Sequence, residues 1–309
     1  MHMFDNRITI ENRSLLEKYL KSFEYKTSGL SFSSLYMWRD VNRFSWEIIG
    51  DYLCFAAISH LPEDQGAAFL FPPLTATGRF NYPSLRETIL TAKKRFEERG
   101  SEFSIRLIPF HMLECLDMAF KDEMRYIPDR PNYDYVYLRK DLVELAGRAY
   151  HAKRNHLNYF LNNYDYVYER LTPEMTDEAM DFIKRFNQVK VVPEEEMELL
   201  RMEQAAMEDV FINLDTIGYL GGVIRIDGRI QALSIGGFLG KNAVTVHVEK
   251  ANVEYRGLYQ AINNEFCKGI PTNIKFVNRE EDMGIAGLRK AKLSYKPVKL
   301  IEKYIAVFN

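Results

Sequence analysis

The sequence predicts an α+β protein made of two successive units, each a mixed and mostly antiparallel sheet flanked by helices. Two observations support this fold class. First, the C-terminal half contains strand-like runs joined by short turns, followed by alternating helical and extended segments. Second, the N-terminal half shows the same order of elements without obvious sequence identity. A repeated architecture explains both halves.

The C-terminal half carries the clearest pattern. Its strand-like runs are Tyr219–Ile226, Arg229–Phe238 and Asn242–Glu249. Asp227-Gly228 separates the first two runs and is a strong two-residue hairpin signal, so a three-strand meander is expected. A helix follows Gly257, and a short strand, a second helix and a last strand pair within Tyr295–Phe308 complete the order. This is the element order of the GNAT (acyl-CoA N-acyltransferase) fold.

The N-terminal half repeats that order. A meander is predicted within residues 44–71, and a helix over Tyr82–Arg99 is closed by Gly100 as its C-cap. A strand, a helix and another strand follow within residues 103–127. We therefore predict an N-terminal GNAT-like unit over residues 1–130 and a C-terminal one over residues 131–309. The second includes the connecting strand and helix of residues 131–164.

Composition excludes several classes of protein. The chain has 309 residues and a net charge of −2. It therefore lacks the large overall positive charge that is typical of proteins that coat nucleic acid. Its three cysteines are too few and too far apart for a disulfide framework or a zinc cluster, and no metal is predicted. The longest apolar runs are strand-sized, so no membrane-spanning segment is expected. These features predict a cytoplasmic protein.

The loop before the predicted Gly257 helix is the first candidate binding element. In GNAT enzymes the pyrophosphate of coenzyme A lies at this helix N-terminus, where backbone amides and the helix dipole attract anions. The usual pattern has Gln or Arg where this chain has Glu254, and a second small residue where it has Tyr259. We assign Arg256, Gly257 and Tyr259 as candidate donor-binding residues. The alternative is that Gly257 only begins a helix.

A lysine stands out in the connecting helix. The run Ala149–Leu161 places Lys153 in the middle of an apolar stripe. A buried ammonium is costly unless its stem carries it to water or it meets an anion. Lys153 and the adjacent Arg154 are therefore candidate phosphate-binding residues. The alternative for Lys153 is a lysine that only reaches water at the helix margin.

Acyl transfer needs a base for the nucleophile and an acid for the leaving group. Glu249 and His247 end the third meander strand, and strand alternation predicts that they share a face. Glu249 is the first candidate base and His247 the second. The alternative for Glu249 is a salt bridge with Lys250, Arg256 or Arg279.

A run of charged residues forms the remaining candidate site. Its members, assigned as candidate substrate-binding residues, are Arg279, Glu280, Glu281 and Asp282, with Arg289 on the helix that follows. Arg289, Lys290 and Lys292 would extend a basic rim toward Lys153, which would position a phosphate-bearing donor. The alternative is a solvated helix start.

Several segments resemble a known family. They are Lys153–Phe160, Val248–Ala251, Arg256–Asn263 and Asn278–Lys292, the last being the most specific. The chain resembles an uncharacterised bacterial family that is similar to the C-terminal, catalytic domain of phosphatidylglycerol lysyltransferases. The resemblance covers nearly the whole chain. It implies a tandem GNAT fold shared with the Fem-type aminoacyltransferases, which move an aminoacyl group from a charged tRNA to an amine or hydroxyl.

Two functional hypotheses follow. The first is an acyl- or aminoacyltransferase with its active site in the cleft at the C-terminal unit. Its donor would be aminoacyl-tRNA or acyl-CoA, and its acceptor a small molecule, a lipid head group or a peptide. The second is a non-catalytic module that uses the GNAT scaffold to bind a nucleotide, another phosphate-bearing ligand or a protein. Fold alone does not separate them.

Overall fold

The computed structural model describes residues 2–22, 27–59, 66–188 and 194–309. Its contacts divide the chain into two compact units. Unit 1 comprises residues 1–134, 281–285 and 301–309, and unit 2 comprises residues 135–280 and 286–300. Each unit is described by itself.

The helices and strands follow in chain order. The α-helices are α1 (Arg13–Leu20), α2 (Phe32–Met37), α3 (Tyr82–Glu98), α4 (Phe110–Phe120), α5 (Arg139–Glu144), α6 (His151–Asn163), α7 (Thr176–Gln188), α8 (Glu194–Ile212), α9 (Leu214–Ile217), α10 (Leu258–Gly269) and α11 (Ala286–Leu293). The strands are β1 (Ser45–Ile49), β2 (Tyr52–Ile58), β3 (Ala68–Leu70), β4 (Leu74–Thr75), β5 (Ile105–Pro109), β6 (Met124–Pro128), β7 (Asp134–Leu138), β8 (Tyr166–Arg170), β9 (Leu220–Ile226), β10 (Arg229–Leu239), β11 (Ala243–Ala251), β12 (Phe276–Asn278), β13 (Lys299–Ile301) and β14 (Lys303–Phe308).

Unit 1 is built on a seven-stranded sheet in the order β1-β2-β3-β5-β14-β6, with β4 paired to β2. All described pairs are antiparallel except β3 with β5. Helix α3 begins where the Asn81 side chain accepts a hydrogen bond from the Ser84 amide, and it buries Leu85, Ile89 and Phe96. These side chains join α4 and the strands in one apolar core.

Unit 2 is built on a second seven-stranded sheet, in the order β13-β7-β12-β11-β10-β9-β8. The strands β9, β10 and β11 form the predicted antiparallel meander, while β12 joins β11 in parallel. Helix α10 packs on the meander and contacts α5 and α6. Its buried face carries Leu258, Ala261, Ile262 and Phe266, which are the spacings of one helical stripe. The predicted fold class, two mixed and mostly antiparallel sheets flanked by helices, is confirmed.

The two C-terminal strands differ from their prediction. Residues 295–308 were expected to hold a strand pair, but β13 lies in the sheet of unit 2 and β14 in the sheet of unit 1. In unit 1, β14 fills the space between β5 and β6, and its Ala306 is buried in the core. The predicted C-terminal unit of residues 131–309 includes β14 and residues 281–285, whereas the contacts group both with unit 1.

A buried ion pair holds β14 at its start. The Lys303 ammonium lies 2.6 Å from Asp134 Oδ1, and both side chains are almost completely buried. The amide and hydroxyl of Ser28 donate two more hydrogen bonds to the Asp134 carboxylate. Because buried charges need such partners, this network fixes the position of the last strand within unit 1.

Candidate functional site

The sheet of unit 2 opens between two parallel strands. Strands β11 and β12 pair from Ala243 with Phe276 to Thr245 with Asn278, and the register ends there. Strand β11 continues to Ala251, paired with β10. Where parallel strands part, their inner edges leave room for side chains. Arg279 and Glu280, directly after β12, occupy this opening.

Arg279 reaches the far part of β11. Its Nη2 lies 2.7 Å from Glu249 Oε1, and both side chains are nearly buried. The other carboxylate oxygen of Glu249 accepts a hydrogen bond of 2.9 Å from Asn263 of α10. Both oxygens of Glu249 are therefore engaged, and its geometry is that of the ion pair left open as the alternative to a general base.

Glu280 reaches the near part of the same strand. Its Oε1 lies 2.9 Å from His247 Nδ1 and also accepts a hydrogen bond of 3.4 Å from the Thr245 hydroxyl. The His247 side chain is fully buried, and its ring lies edge-on to Tyr219. A carboxylate on Nδ1 fixes the orientation of the imidazole ring.

His247 is also the site of a backbone irregularity. The register between β10 and β11 shifts there, with Ile235 paired to Val248 and Gly236 to Val246. His247 is thus the extra residue of a β-bulge. A bulge interrupts the alternation that predicted a shared face for His247 and Glu249, so that prediction is wrong. Glu249 contacts α10, whereas His247 contacts Glu280 and Tyr219.

Lys153 of α6 completes a charge cluster with Glu249 and Arg279. Its ammonium lies 4.2 Å from the centre of the Tyr295 ring, and the Arg279 guanidinium lies 4.8 Å from the same ring. Burial and the nearby Arg279 lower the pKa of Lys153 to about 8, although Glu249 opposes the shift. Burial would lower the pKa of Arg279, but Glu249 holds it above its ordinary value.

Two buried polar atoms beside this cluster lack a hydrogen-bond partner among the described residues. They are Arg279 Nη1 and the Ser234 hydroxyl. Ser234 lies directly opposite Glu249 in the β10–β11 register, so the two side chains are neighbours on one face of the sheet. Unpaired buried donors are costly and call for an explanation.

The other candidate donor-binding residues have separate contacts. Arg154 donates to the carbonyl oxygens of Leu145 and Gly147, which cap the end of α5. The Arg256 guanidinium is exposed and lies 4.4 Å from the centre of the Tyr159 ring. Tyr259 is half-buried against the core of unit 2, and burial raises its pKa.

Gly257 starts α10 with a left-handed backbone, at φ of +91°. A Cβ at this position would lie 2.2 Å from the carbonyl oxygen of His156 on α6. The glycine therefore permits α6 and the first turn of α10 to approach each other closely.

The charged residues that follow β12 are divided between the two units. Arg279 and Glu280 belong to unit 2, as does Arg289, a partly buried residue of α11. Glu281 and Asp282 belong to unit 1, where Asp282 is fully buried and lies 3.0 Å from Arg130, and Glu281 lies 3.9 Å from Lys303. The contacts thus join Arg279 and Glu280 to the candidates on β11.

Asn263, Ser234 and Tyr295 were not predicted as site residues. A neutral amide or hydroxyl inside a helical or extended run gives no charge signal, and Tyr295 looked like an ordinary strand residue. The one available indication was the polar Asn263-Asn264 pair within an apolar helix. Of that pair, Asn264 instead donates to the carbonyl oxygens of Leu142 and Val143.

Within the described ranges, no group of three or more His, Cys, Asp or Glu side chains is placed to hold a metal ion. No described helix combines the length and the apolar character needed to cross a membrane.

Replacing Lys153 by Met is expected to stabilise the protein near pH 7. The pKa of Lys153 falls from the ordinary 10.5 to about 8 in the folded chain, so the charged form costs folding free energy below pH 8. That cost fades as pH rises from 8 to 10.5. Full conversion of the shift gives about 3 kcal/mol, which solvent screening of this half-buried group reduces to about 1 kcal/mol.

The measurement is the difference in free energy of unfolding between parent and Lys153→Met, by denaturant titration at pH 7 and pH 10. The difference should shrink at the higher pH. The exposed Lys140 provides the control Lys140→Met, for which no such trend is expected. A variant less stable than the parent at pH 7 would show that the ammonium stabilises the fold.

Sequence comparison supplies a family. The family described as phosphatidylglycerol lysyltransferase, C-terminal, matches residues 20–307. An uncharacterised protein of Mycoplasmoides gallisepticum is 25% identical over 177 residues, which are 56% of this chain and 55% of that protein. The chain thus spans about half the length of this curated relative.

Solved structures agree with the fold. A conserved protein of unknown function from Bacteroides thetaiotaomicron is 31% identical, with a TM-score of 0.87 and 100% of both chains covered. L-PGS from Bacillus licheniformis is 13% identical, with a TM-score of 0.65 and 97% and 92% coverage. A tandem GNAT protein from the clavulanic acid biosynthesis pathway is 10% identical, with a TM-score of 0.51 and 98% and 97% coverage.

The last two likenesses show the fold alone, and that fold is the tandem GNAT architecture expected from the order of elements. The family match covers nearly the whole chain, including α6, the meander, α10 and the charged run after β12. The chain therefore belongs to the family of phosphatidylglycerol lysyltransferase C-terminal domains.

Proposed function

We propose that the protein transfers an aminoacyl group from aminoacyl-tRNA to a hydroxyl or amine acceptor at the opening between β11 and β12. The observation that carries the proposal is the His247–Glu280 pair, an imidazole held by a carboxylate at 2.9 Å in that opening. Family membership adds support, because the family's description names an aminoacyl transfer. The family description also makes a lipid head group the first acceptor to test.

His247 is the proposed general base. With the proton on Nδ1 donated to Glu280, Nε2 is the ring nitrogen that we assign to take the proton of the attacking hydroxyl or amine. The acceptor atom then bonds to the ester carbonyl carbon. The ester bond to the tRNA 3′-terminal oxygen breaks, and that oxygen takes the proton back from the imidazolium. The acceptor's proton ends on the tRNA oxygen, which also keeps the electron pair of the broken ester bond, so no further reactant is needed.

Glu249 receives a different role. Both of its oxygens already accept hydrogen bonds, from Arg279 and from Asn263. A carboxylate used in this way orients its donors, so we propose that Glu249 holds Arg279 in place against β11. Proton transfer is assigned to His247 alone.

The start of α10 favours a tRNA donor over acyl-CoA. The helix N-terminus that receives the pyrophosphate in coenzyme A enzymes here packs against the backbone of His156 on α6. The same loop carries Glu254 and Tyr259 in place of the usual residues. A negative charge and a bulky ring both oppose a pyrophosphate. With a tRNA donor, the protein would act in the cytoplasm.

The test is a transfer assay with the purified full chain. Labelled aminoacyl-tRNA, charged with a mixture of amino acids, is supplied with either phospholipid vesicles or a small-molecule cell extract as acceptor. Label should move from tRNA to an acceptor product. His247→Gln should lower the rate by about 10²- to 10⁴-fold, and Glu280→Gln should lower it less. His156→Gln alters an exposed histidine of α6 and is the matched control.

Three outcomes would overturn the proposal. One is no transfer with any acceptor. Another is transfer from labelled acetyl-CoA but not from aminoacyl-tRNA. The third is a folded His247→Gln variant that retains the parent rate, with Glu280→Gln also unaffected.

A further inference from the structure

The charge cluster of unit 2 carries more positive than negative charge. Lys153 and Arg279 contribute two cations, and Glu249 contributes one carboxylate. Asn263, which bonds the second oxygen of Glu249, is neutral. Nearly buried charges are stable when they are matched, so a cluster with one uncompensated cation is incomplete.

The cluster also contains buried hydrogen-bond donors that have no acceptor within the described part of the chain. Arg279 uses Nη2 on Glu249, while its buried Nη1 has no partner within the described part of the chain. The buried Ser234 hydroxyl, which lies opposite Glu249, likewise has no hydrogen-bond partner among the described residues. Guanidinium N–H groups and hydroxyls are both donors to anionic oxygens. Their position on one face of the sheet places these donors together.

The two cations of the cluster lie against one aromatic ring. Lys153 and Arg279 both lie over the Tyr295 ring, at 4.2 and 4.8 Å from its centre. Lys153 is half-buried and its four-carbon stem is flexible, whereas Arg279 is anchored by Glu249. The flexible lysine can therefore place its ammonium on the same anion that Arg279 Nη1 would bind.

We propose that Lys153 and Arg279, with the Ser234 hydroxyl, form a binding site for a phosphodiester, whose single negative charge matches the one uncompensated cation. This inference deepens the proposed function and rests on it, because it names the chemical group by which unit 2 holds a substrate of the proposed transfer. A nucleic-acid backbone and a lipid head group both carry this group. Glu249 keeps Arg279 in place for it.

The test measures binding and needs no turnover. Thermal shifts of the full chain are recorded against diethyl phosphate, the dinucleotide CpA and glycerophosphoglycerol, a soluble lipid head group, at fixed ionic strength. Each phosphodiester should raise the melting temperature of the parent, and acetate at equal concentration should not. Lys153→Met should weaken the binding by about tenfold or more, as expected for one charge-assisted contact. Lys140→Met should leave it unchanged.

Comparing CpA with glycerophosphoglycerol separates a nucleic-acid backbone from a lipid head group as the source of the phosphodiester. Tighter binding of CpA than of glycerophosphoglycerol assigns the site to the nucleic-acid donor, and the reverse order assigns it to a lipid acceptor. Either result supports a phosphodiester site. Absence of binding, equal protection by acetate, or equal binding by parent, Lys153→Met and Ser234→Ala would overturn it. Binding without transfer would defeat the proposed function alone, and His247-dependent transfer without Lys153-dependent binding would defeat this inference alone.

Discussion

Arg279→Met is expected to lower the free energy of unfolding by about 3–5 kcal/mol. The change leaves the Glu249 carboxylate nearly buried with only the neutral Asn263 amide as a direct partner. The loss of stability comes from a nearly buried carboxylate that no longer has an ion-pair partner in direct contact. Denaturant titration at pH 7 measures the loss of stability.

A second substitution separates the unmatched charge from other effects. In Arg279→Met, the further change Glu249→Gln removes the carboxylate and should recover most of the lost stability, as a double-mutant cycle would report. The same double variant should not bind phosphodiesters. Arg185→Met is the control, because Arg185 and Asp181 form an exposed pair whose loss costs about 1 kcal/mol or less. Equal losses for Arg279→Met and Arg185→Met would contradict a structural ion pair at Glu249.

Local sequence patterns were sufficient to predict the meander. The strands β9, β10 and β11 begin and end within two residues of their predicted limits. The Asp227-Gly228 turn forms with both residues at positive φ, as a tight two-residue hairpin requires. These features depend on neighbours in sequence, so residue alternation and turn chemistry are enough to specify them.

Local sequence patterns could not predict the register of strand pairs or the pairing of strands that lie far apart in the sequence. The bulge at His247 exists only because β10 pairs with β11 in a particular register, and the placement of β14 between β5 and β6 depends on a partner about 200 residues away in sequence. Neither leaves a local signal. Errors about shared faces and about the last strand follow from this one cause.

The charged residues of the candidate site could be predicted from the sequence, whereas its neutral residues could not. Lys153 was identified as a cation in an apolar stripe and Arg279 as part of a charged run, and the structure brings both to Tyr295. Their neutral partners, Asn263 and Ser234, needed coordinates. A buried amide or hydroxyl is recognisable as a site residue only when its hydrogen-bond partners can be counted.

Gly257→Ala is expected to destabilise the protein by about 2–5 kcal/mol. A left-handed backbone costs a residue with a side chain about 1–2 kcal/mol, and forcing an atom into a packed contact costs about 1–3 kcal/mol. The new methyl group would lie 2.2 Å from the His156 carbonyl oxygen, a backbone atom that moves only with α6. Thermal unfolding of parent and variant measures the effect. Gly287→Ala is the matched control, since nothing lies within 4 Å of its Cβ position.

The result also bears on the donor. If Gly257 is required for α6 to seat on the first turn of α10, the variant should lose stability whether or not coenzyme A is present. If the glycine instead keeps the helix N-terminus open for a pyrophosphate, as in coenzyme A enzymes, Gly257→Ala should cost only about 1–2 kcal/mol for its left-handed backbone and should abolish a coenzyme A-dependent thermal shift of the parent. That second pattern would move the donor from tRNA to acyl-CoA, because the packing of the start of α10 against His156 of α6 is the structural argument against a pyrophosphate at this position.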